Sequence, residues 1–152
     1  MALLLVMPTT AASAQDYRFV VSVVNKSVTR EVTSYGQVLA TCGTPSRAVT
    51  CKINKTRSAT RTIGVSSGVS TTFVAGKLGI SSSKTVSIAI SCSRKTTAKY
   101  PYLKAYVVND VWSYTVRTKK YDAVGRLVKT ENSKQRAYNP VGVHCGLSTL
   151  GG

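Results

Sequence analysis

The chain has 152 residues, with 21 Lys and Arg against 5 Asp and Glu and a formal net charge of +16. This length allows one domain with a single core, and after the N-terminus no apolar run is long enough for a membrane-spanning helix. The cations are spread along the chain, which favours a basic folded domain over a disordered basic tail. Such a charge indicates an acidic partner (nucleic acid, an anionic envelope polymer, anionic lipid or an acidic protein), unless it only keeps the chain soluble.

The first predicted element is a signal peptide over residues 1–14. Residues 1–7 (MALLLVM) form an apolar run too short to span a bilayer, and Ala12-Ser13-Ala14 has the small-x-small pattern that signal peptidase cleaves after. The first cation is Arg18, so the usual positive start of a signal peptide is missing, and a buried apolar strand is the alternative. We expect export, and a secreted, extracellular domain over residues 15–152.

Residues 15–25 (QDYRFVVSVVN) have strong strand character and admit two interpretations. They form the first strand of the domain's own sheet, or they stay free and pair with the exposed sheet edge of a partner. In the second case Tyr17, Phe19 and Val21, which share one face of the strand, bind the partner by filling its pockets. The basic surface would then speed docking onto a larger secreted protein subunit with an acidic surface.

Alternation of Val, Ile, Thr and Tyr with polar residues at a period of two predicts strands along most of the chain. The predicted strands cover residues 17–24, 28–40, 48–54, 58–66, 85–92, 103–109, 112–120 and 126–130. Turns at Asn109-Asp110 and at Asp122–Gly125 join the last three of these into hairpins. Short strands with frequent turns predict a mainly β single domain, built as a disulfide-stapled sandwich or a barrel-like sheet.

One segment, residues 70–79, fits a short helix instead of a strand. Ser70 or Thr71 would cap this helix, and Gly79 would end it. Its inward-facing residues would be Phe73, Val74 and Leu78. A Ser/Gly-rich β-hairpin is the alternative, because Gly76 in the middle of a helix costs about 1 kcal/mol.

The four cysteines are Cys42, Cys51, Cys92 and Cys145. An even number in a chain with an export signal predicts two disulfides and an oxidising compartment. Three pairings are possible, and we favour Cys42 with Cys51 and Cys92 with Cys145. A zinc site is the competing use of these residues, but it needs C-x₂-C pairs and none of the spacings has that form. The sequence therefore predicts no metal or other cofactor.

Two further segments indicate other functions. Residues 74–86 (VAGKLGISSSKTV) resemble a helix-turn-helix signature, which raises a DNA-binding alternative. The β-branched alternation that follows opposes a recognition helix, so we expect no specific nucleic acid. Residues 61–91 alternate apolar with small polar residues about Gly76-Lys77, as membrane-inserting hairpins of pore-forming toxins do. A cationic membrane-active or pore-forming toxin is therefore an alternative, and it alone involves membrane contact.

Residues suited to catalysis are few. His144 is the single histidine, and although Cys145 follows it, neighbouring residues on a strand point to opposite faces. The five acids are Asp16, Glu31, Asp110, Asp122 and Glu131. The sequence around them has no nucleophile elbow, phosphate loop or metal-ligand cluster. We expect a protein without enzymatic activity.

Three stretches are similar to small secreted actinobacterial proteins, namely residues 47–70, residues 74–92 and a C-terminal block over residues 104–147 that includes Tyr138-Asn139-Pro140. Within that group the chain resembles the small adaptor subunit of umbrella-shaped toxin particles. The resemblance covers most of the mature chain and no catalytic motif. It implies a β-protein that bridges a cell-surface-binding lectin subunit and the repeat-bearing spokes of a large polymorphic toxin. The resulting hypothesis is a secreted adaptor module of an extracellular, antibacterial toxin complex.

Overall fold

The computed structural model describes residues 16–151, and the predicted signal peptide at 1–14 lies outside the described residues. The described chain is mainly β, with one short helix and a sheet that curls into a half-barrel, which confirms the predicted fold class. The elements in chain order are β1 (Arg18–Gly43), β2 (Thr50–Thr60), β3 (Thr62–Ile63), α1 (Thr71–Leu78), β4 (Thr85–Lys95), β5 (Tyr102–Tyr121) and β6 (Leu127–Ser148).

Three long antiparallel strands form the main sheet. In it β5 lies between β1 and β6, and the short β3 adds to the far side of β6. β2 and β4 form a separate antiparallel pair, in register over all 11 residues of each strand. The connection between β2 and β4 carries β3 and α1, whose apolar residues pack against the main sheet. Both the β2–β4 pair and the helix α1 therefore pack against the main sheet, in separate buried clusters.

The predicted strands at 17–24 and 28–40 are one strand, β1, because bulges bend this strand without ending it. Shifts of register against β5 occur beside Asn25 and Glu31, whose φ angles are 53° and 54°. A bulge turns a long strand and increases its twist. The bulges therefore let a single strand follow the curl of the sheet.

The predicted turn at Asn109-Asp110 is wrong, since both residues are buried inside the continuous strand β5. Their polar side chains form hydrogen bonds with the neighbouring strand β1 instead. The carboxylate of Asp110 accepts hydrogen bonds from the guanidinium of Arg30 at 2.7 Å and from the N–H of Glu31 at 3.1 Å. The amide of Asn109 donates to the hydroxyl of Ser34 at 2.9 Å. Hydrogen bonds with the bulged part of β1 thus hold these two residues in a strand, although their local preference is a turn.

The second predicted turn is confirmed, and it joins β5 to β6. The N–H groups of Val124 and Arg126 donate to the side chain of Asp122 at 3.1 and 2.9 Å. Gly125 has a φ of 82°, which glycine adopts without steric cost. Beyond the turn β6 continues to Ser148, well past the predicted strand end at 130.

The predicted helix is confirmed as α1. The hydroxyl of Ser70 accepts a hydrogen bond from the N–H of Phe73 at 3.1 Å, which caps the first turn. Gly79 ends the helix with a left-handed φ of 72°. Val74 and Leu78 are buried as expected, and Phe73 is half-buried.

Two functional alternatives depended on other conformations of this region. A membrane-inserting hairpin over 61–91 needs its tip at Gly76-Lys77, and these residues lie within α1 instead. A helix-turn-helix over 74–86 needs a second helix, and the strand β4 begins at Thr85 instead. The described residues of these segments form neither motif, because their apolar side chains pack into the cores of the two layers.

Two disulfides hold the β2–β4 pair against the main sheet. They join Cys42 of β1 to Cys51 of β2 and Cys92 of β4 to Cys145 of β6, which is the favoured pairing. The disulfides indicate an oxidising environment for the folded chain. Around them lies a buried apolar cluster that includes Ala40, Ile53, Ile90, Leu103 and Ala105.

A second buried cluster lies between α1 and the main sheet. Its fully buried members are Val74, Leu78, Tyr114, Val116 and Ala137. The helix α1, which covers this cluster, has eight residues. Within residues 16–151, no helix is long and apolar enough to cross a membrane. The cluster fixes the face of the sheet on which α1 and the preceding loop lie.

Candidate partner-binding surface

The N-terminal stretch of β1, Arg18–Val24, lies at the outside of the main sheet. It pairs in unbroken register with residues 115–121 of β5, so it is a strand of the chain's own sheet. β1 is the terminal strand in the order β1-β5-β6-β3, and no described residue pairs with its other edge along this stretch. If this stretch were donated to a partner's sheet, its pairing with β5 would have to break. Donation of the strand stays a prediction.

One face of this stretch lines a groove of about 770 Å³. Val21 and Val116 form part of its apolar floor, and the loop 66–69 forms a wall with several hydroxyls. Residues 131–133 of β6 close the other side. Phe19 stands at the open end and is 60% exposed, so most of its ring is in contact with solvent.

Long-range hydrogen bonds hold the loop wall over the sheet. The buried hydroxyl of Tyr114 donates to the carbonyl of Gly64, whose N–H in turn donates to the carbonyl of Arg136 at 2.9 Å. Burial raises the pKa of Tyr114 above the usual 10.0, because a phenolate would lose its hydration there. The cap residue Ser70 follows the loop and ties its end to α1. Within the wall, the hydroxyl of Ser66 is buried without a hydrogen-bond partner.

Cations border the open end of the groove. The ammonium of Lys120 lies 3.7 Å from the ring centre of Tyr17 and 5.9 Å from that of Phe19, within the range of cation–π attraction. Lys129 is paired with Glu131, and its hydrogen bond and its charge lower the pKa of that carboxyl. The charge of Lys120 also lowers the pKa of Glu131, so two lysines lie near one carboxylate and this end of the groove keeps a net positive charge.

The three predicted partner-binding residues lie together at this end of the sheet. Phe19 and Val21 line the groove, whereas Tyr17 precedes β1 and packs on Lys120. Their role in binding stays a prediction. The sequence gives no sign of the loop 66–69 as the opposite wall, because the bond that holds it joins residues 50 positions apart.

The residues considered for catalysis do not converge. Cys145 is bonded to Cys92 and has no thiol, while His144 lies against Tyr106 and Tyr35, with ring centres 6.4 and 6.2 Å away. Within residues 16–151, no group of three or more His, Cys, Asp or Glu side chains is placed to hold a metal ion. The absence of enzymatic activity stays a prediction.

Comparisons with protein-family models and with curated proteins identify no relative of the chain. No protein-family model matches it, and no curated protein matches it significantly. Its function therefore has to be inferred from the chemistry of its own surface and from the sequence.

Proposed function

We propose that this protein is a secreted, non-enzymatic interaction module that acts as an adaptor in an extracellular assembly. Its partner is a larger secreted protein subunit with an acidic surface, which docks at the Arg18–Val24 stretch of β1. The observation that carries the proposal is the exposed apolar surface of Phe19 and Val20 on a strand edge that no described residue covers.

Exposed strand edges are usually protected, because their unpaired N–H and C=O groups pair readily with other chains. Farther along β1, bulges beside Asn25 and Glu31 twist the edge and interrupt its regular register. The Arg18–Val24 stretch has no bulge, and Phe19 and Val20 expose 60% and 42% of their surface. This stretch therefore suits an added partner strand, with main-chain hydrogen bonds for affinity and the groove as a pocket for a side chain.

The charge of the chain supports an acidic partner. Three of the 21 cations, Arg30, Arg126 and Lys129, are in ion pairs within the described residues. Near the groove, Arg18 and Lys120 lie over aromatic rings and belong to none of the ion pairs of the described residues. A positive surface of this kind speeds association with an acidic protein and makes the association rate depend on salt.

Two other features support the compartment and the kind of assembly. The disulfides need an oxidising environment, which agrees with the export signal predicted at residues 1–14. The resemblance to the adaptor subunit of umbrella-shaped toxin particles supports a position between a lectin subunit and the spokes of a large toxin. In such an assembly the β1 edge would be one of the contacts that the adaptor makes.

A pull-down from native secretions with the tagged chain tests the proposal. Phe19→Asp places a carboxylate on the docking surface, and Leu150→Asp makes the same change at a residue that is 72% exposed near the opposite end of the sheet. We expect a large acidic secreted protein to co-purify with the wild-type chain and with Leu150→Asp, but not with Phe19→Asp. Equal recovery with all three chains would contradict docking at this edge.

Dye release from anionic liposomes separates the adaptor from the pore-forming alternative. An adaptor without its partners leaves the vesicles intact at concentrations that saturate binding to them. Release of dye by the purified chain alone would contradict the proposal and support a membrane-active toxin.

A further inference from the structure

The face of the main sheet opposite the groove carries a row of four cations. Side chains alternate along a strand, so the register of β5 with β6 places these cations on one face. They are Lys119 and Arg117 of β5, followed by Lys134 and Arg136 of β6. Neighbours on one face are about 7 Å apart along a strand, and diagonal neighbours on paired strands about 7–8 Å apart. The row therefore crosses two strands with nearly even spacing.

The positions around this row hold no acid, and apart from the cation Arg18, which pairs with Tyr121 beside Lys119, they are neutral. The neutral positions are occupied by Val20, Ser22, Val24, Ser113, Thr115, Thr130 and Asn132. Arg117 donates to the side-chain oxygen of Asn132 at 3.0 Å, and none of the four cations belongs to an ion pair in the described chain. Like charges about 7–8 Å apart repel one another, so an anionic ligand would relieve this repulsion.

The face is hollow at one end of the row. A concavity of about 580 Å³ has Asn25, Ser113, Thr115, Lys134 and Arg136 among its lining residues. It brings together an amide, two hydroxyls, an ammonium and a guanidinium, all of which donate hydrogen bonds. Lys134 and Arg136 are exposed, whereas Thr115 is buried at the base. This combination of donors suits the oxygens of a phosphate group.

We propose that this cationic face, formed by Arg117, Lys119, Lys134 and Arg136, binds a phosphodiester polymer through its phosphate groups alone, without contacts to bases. One phosphate lies in the concavity between Lys134 and Arg136, and the following phosphates lie on Arg117 and Lys119. An evenly spaced row of cations matches a chain of evenly spaced anions, whereas a single phosphate or carboxylate would engage one end of it. The guanidinium forks bind phosphate through paired N–H groups, and the lysines add point charges. This site lies on the other face from the groove, so it does not depend on the proposed docking of a protein.

Binding of a fluorescein-labelled abasic oligodeoxynucleotide tests the proposal, because this probe offers phosphodiesters without bases. Four contacted phosphates on a single strand predict a slope of log K against log salt of about −3. Lys134→Gln combined with Arg136→Gln should reduce the slope to about −1.4 and weaken binding about 25-fold at 0.1 M salt. The matched control is Lys52→Gln with Lys95→Gln, which removes two exposed cations from the β2–β4 pair. We expect the control to stay within about two-fold of the wild-type affinity, since distant exposed charges are screened.

Three outcomes would overturn the assignment. Equal weakening by the two double variants would mean that affinity follows net charge alone. An oligothymidylate of the same length that binds more than about ten-fold tighter than the abasic probe would assign the face to nucleic acid, because stacking of bases would then contribute. Vesicles of anionic lipid that bind the chain while the abasic probe does not would assign the face to a lipid surface.

Discussion

The two disulfides close loops of different length, so their removal should cost different amounts of stability. Cys42–Cys51 spans 9 positions, whereas Cys92–Cys145 spans 53. The loss of loop entropy in the unfolded chain predicts about 2.7 kcal/mol for the short loop and about 4.2 kcal/mol for the long one. The perturbations are the paired substitutions Cys42→Ala/Cys51→Ala and Cys92→Ala/Cys145→Ala.

Packing losses nearly cancel when these two variants are compared. Each pair has one fully buried cysteine, Cys51 at 0% and Cys92 at 3% exposure, and one half-buried cysteine in the main sheet. Both disulfides join the β2–β4 pair to the main sheet, so each variant loses the same kind of cross-link. The difference of about 1.5 kcal/mol in the free energy of unfolding therefore reports loop length.

Urea denaturation followed by far-UV circular dichroism measures this difference. With an m-value of about 1.5 kcal/mol/M, the long-loop variant should unfold at a urea midpoint about 1 M below that of the short-loop variant. Equal midpoints, or a lower midpoint for the short-loop variant, would refute the reasoning from loop entropy.

Three further predictions concern the groove wall and the β5–β6 turn. Ser70→Ala removes the cap of α1 and should lower the free energy of unfolding by about 1 kcal/mol in urea titrations, whereas no change would mean that the cap is redundant. Tyr114→Phe leaves a carbonyl unpaired and should cost about 1–2 kcal/mol, with faster amide hydrogen exchange in the loop 66–69; unchanged exchange would contradict its anchoring role. The backbone N–H of Arg126 helps to lower the pKa of Asp122, so this contribution to stability is full above about pH 4 and is lost as the pH falls through the lowered value. Asp122→Asn should therefore flatten the acid branch of a stability-against-pH curve, and an unaltered branch would exclude this carboxyl as its cause.

Signals within a short stretch of sequence are sufficient to predict the structure where contacts within that same stretch stabilise it. Ser70 and Gly79 mark the two ends of α1, and both act through hydrogen bonds or φ angles within one turn of the helix. The Asp122–Gly125 turn is of the same kind, since its bonds join residues at most four positions apart. Cys42 and Cys51 are likewise only 9 positions apart, and they form one of the two disulfides.

The same signals mislead where distant residues decide the conformation. Asn109-Asp110 predicts a turn, but the bulged part of β1 uses both side chains as hydrogen-bond partners within a strand. Residues 131–136 (ENSKQR) have no apolar alternation that would mark them as part of β6, because most of them are exposed. The pairing with β5 extends this strand in spite of its polar sequence.

The groove contains one part that the sequence predicts and another part that depends on long-range contacts. Alternation along a strand correctly places Phe19 and Val21 on one face, where both line the groove. The opposite wall and the cation Lys120 come from segments far away in the chain, and only the folded sheet brings them together. A pattern within one segment therefore identifies half of the groove, and tertiary contacts supply the other half.

Photo-crosslinking from position 19 tests most directly whether the β1 edge is a docking surface. The tagged chain would carry benzoylphenylalanine in place of Phe19 and be irradiated in native secretions, with the same replacement of Leu150 as the control. We expect a crosslink from position 19 to one larger, acidic secreted protein and none from position 150. Crosslinks of equal yield from both positions, or none from position 19, would contradict docking at this edge.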